Sequence, residues 1–184
     1  MKNNIYFDHA ATTKLKTEVL EEMLPYLKDS YGNPSSIYLT GRNSKKAVEK
    51  ARMQVAQAIG AQANEVFFTG SGTEADNWAV KGIAYANQNR GKHLITSAIE
   101  HHAVLHAFDY LEKKGFEVTY IPVDEKGIIK IDELKDSIRE DTTLISIMYA
   151  NNEIGTIQPI DEIGRIAKEK GVIFHTDAVQ AIGN

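Results

Sequence analysis

The sequence predicts an α/β fold, a mostly parallel sheet with flanking helices, on two observations. From His93 onward, short strand-like runs alternate with stretches of helical period: HLITS, AVLHAFDYLEKK, EVTYI, DELKDSI, LISIM, IDEIGRIAKEK and VIFH follow one another. Strands separated by helices pair in parallel, because a tight turn cannot return the chain to the same direction, and the helices then cover both faces of the sheet. The second observation is where the polar residues fall. Residues 70–74, 100–102 and 151–153, and Asp177 with Gln180, each follow a predicted strand. In a parallel sheet they share the carboxyl-end rim, where such folds bind ligands.

Residues 17–28 place Val19, Leu20, Met23, Leu24 and Leu27 at helical spacing, with Thr17 as a candidate cap and Pro25 kinking the end. Residues 30–36, SYGNPSS, collect turn formers without periodicity. A second helix is expected over 44–59 from Ala47, Val48, Ala51, Val55 and Ala58, closed by Gly60. Residues 66–69, VFFT, favour an extended strand. The loop Gly70-Ser71-Gly72-Thr73 then opens a helix over 74–86. Its glycines remove Cβ atoms that would hold a ligand off the backbone, and the unpaired N–H groups of the first turn, at the positive end of the helix dipole, make an anion cradle. Ser71 or Thr73 can add a hydroxyl to it, and either can equally cap the helix. Strands are expected over 93–97, 117–121, 144–148 and 172–175, and helices over 103–114, 132–138 and 160–170.

At 184 residues the chain suits one domain. A net charge of −4 with interspersed signs gives no basic footprint for nucleic acid. The absence of cysteine removes disulfides, thiolate metal sites and thiol nucleophiles from these residues. The opening MKNNIYFDHAATT has no apolar signal core, and no run is long enough to cross a bilayer. The sequence therefore reads as a soluble cytoplasmic protein with no nucleic-acid, membrane or metal partner.

A phosphate cradle, an imidazole, a carboxamide and a carboxylate on one rim suit pyridoxal 5′-phosphate (PLP), whose phosphate tethers a pyridine that stores carbanion charge. Asp177, just past the apolar run VIFH, is placed to keep the pyridine nitrogen protonated; its alternative is to cap a turn. His101 can stack on the ring and exchange protons, with His102 the weaker candidate of the pair. Asn152 can donate to the ring's phenolic oxygen, or serve as a turn residue.

The segments YFDHAATT, YGNPSS, TGSGTEADN, ITSAIEHHAVL, YANNEIGTIQPI and HTDAVQAIG, in this order along essentially the whole chain, resemble the cysteine desulfurases, fold type I PLP enzymes of the aminotransferase class V group. The resemblance implies that residues 17–184 are the large PLP-binding domain, incomplete at its carboxyl side, and that residues 1–16 go with the family's small domain. It implies Gly72 and Thr73 on the phosphate, His101 stacked on the pyridine as acid/base, and Asn152 on the ring oxygen and substrate side. Asp177 would pair with the pyridinium nitrogen and Gln180 with the phenolic oxygen. The family's reaction takes sulfur from L-cysteine as an enzyme persulfide, leaves L-alanine, and passes the sulfur to an acceptor or scaffold protein for iron–sulfur cluster or thiocofactor assembly; its members are homodimers.

The sequence departs from the family's pattern in two places. Tyr38 stands where the family commonly has His. The family's Schiff-base lysine lies soon after HTDAVQAIG and its persulfide cysteine much later, so residues 1–184 by themselves are expected to be inactive. Two other readings compete. Residues 70–75 also fit a relaxed dinucleotide fingerprint, with Glu100 near the position of a ribose-binding acid. The chain could also be a non-catalytic interaction module of the same fold.

Overall fold

The computed structural model describes residues 5–179, 181 and 182. It forms two compact units that divide between Phe68 and Thr69.

The first unit holds helices α1, Thr17–Lys28, and α2, Leu39–Ala58, and a 3₁₀ turn, Ala63–Glu65. α1 has the expected bounds, but its cap position is Lys16, and no side chain bonds the first-turn amides. Pro25 sits inside the helix, where its carbonyl accepts from both Asp29 and Ser30 at 2.9 Å. α2 starts five residues before the apolar periodicity, and Gly60, at φ 68°, supplies the left-handed turn after it. Residues 66–69 correct the sequence reading: extended at Val66, they join no strand among the described residues. Arg52 of α2 instead donates to the Val66 carbonyl and lies over the Phe68 ring at 5.0 Å.

The second unit contains α3, Gly72–Asn87; β1, His93–Ser97; α4, His102–Glu112; β2, Glu117–Ile121; α5, Ile131–Ser137; β3, Thr142–Ser146; α6, Ile160–Lys170; and β4, Ile173–His175. The four strands lie in the order β2-β1-β3-β4, and every pairing is parallel. Alternation along the strands builds two cores. Leu94 and Leu144 face α3 and α4, where Val80, Ala84, Val104, Ala107, Phe108 and Leu111 are buried. Ile95 and Ile145 face the other way and pack with Leu134 of α5 and with Ile163 and Ala167 of α6. Both faces of β1 and β3 are thus covered, as the short apolar runs required.

β3 begins two residues before its apolar run because polar pairing recruits Thr142. The buried His93 ring places Nδ1 2.7 Å from the Thr142 hydroxyl and Nε2 2.8 Å from that of Thr119, linking three neighbouring strands. Burial holds this imidazole below its usual range, helped by the Arg139 charge. Gly91 enters the same corner. A Cβ there would stand 2.0 Å from the Asp141 carbonyl oxygen, a backbone atom that also accepts from His93 N. Gly91→Ala is therefore expected to destabilise by roughly 1–3 kcal/mol. Gly82→Ala, whose Cβ would meet nothing closer than 3.9 Å inside α3, should stabilise by about 0.5–1 kcal/mol. Urea midpoints of the two variants should move in opposite directions; a shared direction would refute the steric account.

The crossovers step outward in opposite directions from the central pair β1 and β3. From β1 the chain crosses through α4 to β2 at one edge, and from β3 through α6 to β4 at the other. The crevice outside the carboxyl ends of β1 and β3 is the topological switch point, the usual ligand position in open α/β sheets.

Candidate active site

The first turn of α3 is shaped by a reciprocal cap. Ser71 accepts from Glu74 N at 3.2 Å, and the Glu74 carboxylate accepts from Gly70 N at 2.6 Å. Ser71 thus takes the capping role, and Thr73 keeps its hydroxyl without a partner among the described residues. The amides of Gly72 and Thr73 likewise donate to nothing there. Gly72 is needed for a close approach: a Cβ on it would stand 2.9 Å from Val179 Cγ2. The anion cradle therefore touches the segment that carries Asp177.

The other rim loops are tied to one another. Asn151 donates to the Ile99 carbonyl at 3.0 Å and accepts from the amides of Glu153 and Ile154, so the first asparagine of the pair is consumed in the loop. Asn152, half-buried, has no partner among the described residues and is left for a ligand. Tyr149 N donates to the Asp177 carbonyl at 2.8 Å, joining the loops after β3 and β4. Asp177 uses Oδ1 to accept from Val179 N at 3.0 Å, the turn-capping role expected as its alternative, and its second oxygen has no partner among the described residues. His101 caps α4 by accepting from Ala103 N at Nδ1, 3.1 Å away. An accepting Nδ1 carries no proton, so the neutral ring holds its proton on Nε2. Asn77 of α3 approaches the Ala103 carbonyl at 3.4 Å, which places the openings of α3 and α4 side by side. Thr73, His101, Asn152 and Asp177 accordingly sit on loops and helix starts at one rim. Gln180 lies outside the described residues.

Beneath the rim is a layer that sequence reasoning missed. Glu100 is buried, with its Oε1 accepting from the Ser97 hydroxyl at 2.5 Å and from Met148 N at 2.9 Å. Burial pushes its carboxyl up to about 7 against the pull of those two hydrogen bonds, and the charges of Asp177 and Asp76 add to the rise. Asp76 of α3 is raised to about 6, by burial first and by Asp177 second. His175 holds Nδ1 2.8 Å from the Ser146 hydroxyl, and burial lowers its proton affinity. Its Nε2 is 3.7 Å from Asp76 Oδ1; with both groups pushed toward neutrality this is a polar contact rather than an ion pair. The sequence carried one signal for this layer: Asp76 shares with Val80 and Ala84 the buried stripe of α3, a carboxyl where an apolar residue belongs. Glu100 also fails the ribose role open to it in the dinucleotide reading, since its Oε1 bonds are internal and it is only 5% exposed.

A cleft of about 860 Å³ opens within the first unit, lined by residues that include Val19, Met23, Tyr26, Val48 and Ala51; no rim residue lines it. Among the described residues no helix is long and apolar enough to cross a membrane, and no cluster of three metal-ligating side chains forms.

The family model for aminotransferase class-V matches residues 5–184. The chain belongs to the aminotransferase class-V family. Within it, the chain is 62% identical over 180 residues to the cysteine desulfurase IscS of Methanosarcina thermophila, covering 98% of this chain and 45% of that one. It is 57% identical over 184 residues to the cysteine desulfurase IscS of Clostridium botulinum, covering 100% and 46%. The chain spans about half the length of the curated relatives it matches. Among solved structures, a NifS-like protein superposes with a TM-score of 0.91 at 45% identity, over 94% of this chain and 48% of that one. A structure of SspA in complex with cysteine gives 0.92 at 42% identity, over 96% and 51%. The class-V resemblance read from the motifs and the α/β fold with its parallel sheet are thereby both established.

Proposed function

We propose that this class-V chain carries the cofactor rim of a PLP-dependent cysteine desulfurase, an enzyme that takes sulfur from L-cysteine, releases L-alanine and holds the sulfur as a persulfide. The observation that supports the reading is the close approach of Gly72, in the anion cradle, to Val179, two residues past Asp177. The donor set fits the cofactor. The free amides of Gly72 and Thr73 and the Thr73 hydroxyl would hold the phosphate. Asp177 would hold a proton at the pyridine nitrogen through its free oxygen, Asn152 would donate to the ring oxygen, and Gln180 is assigned to the same oxygen. His101, whose Nε2 carries the ring proton, would stack on the pyridine and move a proton at the reacting carbon. When bound, PLP supplies the electron-accepting ring on which the carbon–sulfur chemistry runs.

No cysteine occurs in residues 1–184, so none of them can carry the persulfide. The proposal likewise assigns none of their lysines as the covalent anchor of the cofactor. The names of the relatives and the cysteine bound to SspA support L-cysteine as substrate. A homodimer, a sulfur-accepting scaffold partner and a cytoplasmic setting complete the reading.

PLP and NAD titrations of the purified chain, monitored by absorbance and by Trp78 fluorescence, test it. PLP should bind saturably and NAD should not. Thr73→Ala should weaken PLP about fivefold, the worth of one hydrogen bond. Borohydride treatment should leave only scattered, substoichiometric lysine adducts. Saturable NAD binding without PLP binding would overturn the reading, and a stoichiometric adduct at one lysine with alanine formation would overturn the assignment of the anchor.

A further inference from the structure

The buried layer under the rim has no place in the reading above. Three carboxyls, Asp76, Glu100 and Asp177, come together there with one imidazole, His175, which burial keeps from charging. They arrive from three directions: Asp76 from α3, Glu100 from the loop after β1, and Asp177 from the segment after β4. No cation among the described residues pairs with Glu100. Asp76 and Glu100 are both buried, and two ionised carboxylates there would go without a compensating cation, so the layer holds at least one proton.

Geometry says where that proton belongs. Asp177 is half-buried and accepts an amide at one oxygen. Glu100 is buried on β1 and β3 together. Its Oε1 takes a hydroxyl from the β1 side and an amide from the β3 side, while Oε2 is a buried oxygen with no partner. The only other buried side-chain atom in that position among the described residues is the Thr176 hydroxyl, next to Asp177. A bare carboxylate oxygen in a dry pocket carries an unpaired charge; the same oxygen bearing a proton is neutral and costs far less to bury.

We propose that Glu100 is a positioning residue of the rim: as the neutral acid it clamps the loops after β1 and β3 across the switch point, beside the segment that carries Asp177. The proposal rests on the cofactor reading for what the clamp serves. It places the proton-holding group beside the ring site rather than on it. Glutamine mimics this state, with a carbonyl to accept from Ser97 and Met148 and no charge at any pH. Alanine removes the clamp.

The sign with pH follows from the raised proton affinity. Below the ordinary glutamate value of 4.5 the folded and unfolded chains both carry the proton; between 4.5 and about 7 only the folded chain keeps it. The stabilising contribution is therefore full at low pH and is lost as pH rises through about 7. Asp76, His175 and Asp177 face Glu100 or its neighbours in both wild type and E100Q, so the cost of their own burial is common to the two, and only their coupling to the Glu100 charge enters the difference.

The experiment compares wild type, Glu100→Gln and Glu100→Ala in the full chain. Urea unfolding is followed from pH 5 to 8 with PLP absent, and PLP titrations are run at pH 6. Relative to wild type, the E100Q urea midpoint should rise by roughly 1 M between pH 5 and 8. E100Q should keep PLP affinity within about threefold, whereas E100A, if folded, should lose at least tenfold. A constant difference in midpoint across the pH range would overturn the neutral acid, and E100Q losing PLP outright would overturn the positioning role. Absence of PLP binding in wild type would sink the cofactor reading and the positioning role with it, while the urea profile would still report the proton on Glu100.

Discussion

Under the proposed desulfurase function, Asp177→Ala in the catalytically competent protein is expected to cut alanine release from cysteine by about 10²- to 10³-fold, the scale of losing a preorganised charge opposite developing transition-state charge. PLP affinity should fall by about tenfold, the lower end of the worth of one charge-assisted hydrogen bond, because the phosphate cradle at Gly72 and Thr73 is separate from the ring contact. The asymmetry is the content of the prediction. Residue 177 is tied into the rim by its backbone as well, since Tyr149 N donates to its carbonyl, so the loop should survive loss of the side chain. Turnover per bound cofactor, measured beside retained cofactor, separates the two effects. Cofactor lost with normal turnover per remaining PLP would assign Asp177 to binding alone.

The second large effect is on stability. Phe108 of α4 is fully buried among Val80, Ala84, Leu94 and Leu111, and Phe108→Ala should cost about 3–5 kcal/mol, because transfer energy is lost and a cavity is left. Leu134→Ala, on the other face of the sheet, should cost about 2–5 kcal/mol. The measurement is urea unfolding of the second unit. Wild-type stability in Phe108→Ala would mean that α4 does not close that face as described.

Most of the fold was legible because its signals are local. Apolar runs such as HLITS and EVTYI fixed β1 and β2 to the residue, and the helical period of IDEIGRIAKEK fixed α6. Misreadings arose where a distant partner decides. Thr142 enters β3 only because His93 pairs with it, and residues 66–69, strand-like in composition, join no strand among the described residues. The rim was legible as a pattern, polar clusters after strands, but not which member of each pair is free. Asn151 and Asn152 are indistinguishable in sequence; one is spent on Ile99 and the adjoining amides, the other is not. The buried layer was hardly legible at all, since whether Glu100 is dry depends on Met148, 48 positions away.

The strand order also governs how the chain can assemble. β1 lies between β2 and β3, so both of its edges wait for partners that come later in the chain. His93 meets Thr119 across 26 positions, and Thr96 meets Ser146 across 50. Doubling a loop adds only about 0.6 kcal/mol of closure entropy. The penalty is therefore mainly one of time: neither hairpin nor local turn can seed this sheet, and its central pairing must await a search over distant residues. Until β3 arrives, the open edge of β1, with Leu94 and Ile95 on its two faces, is the aggregation hazard of the nascent chain.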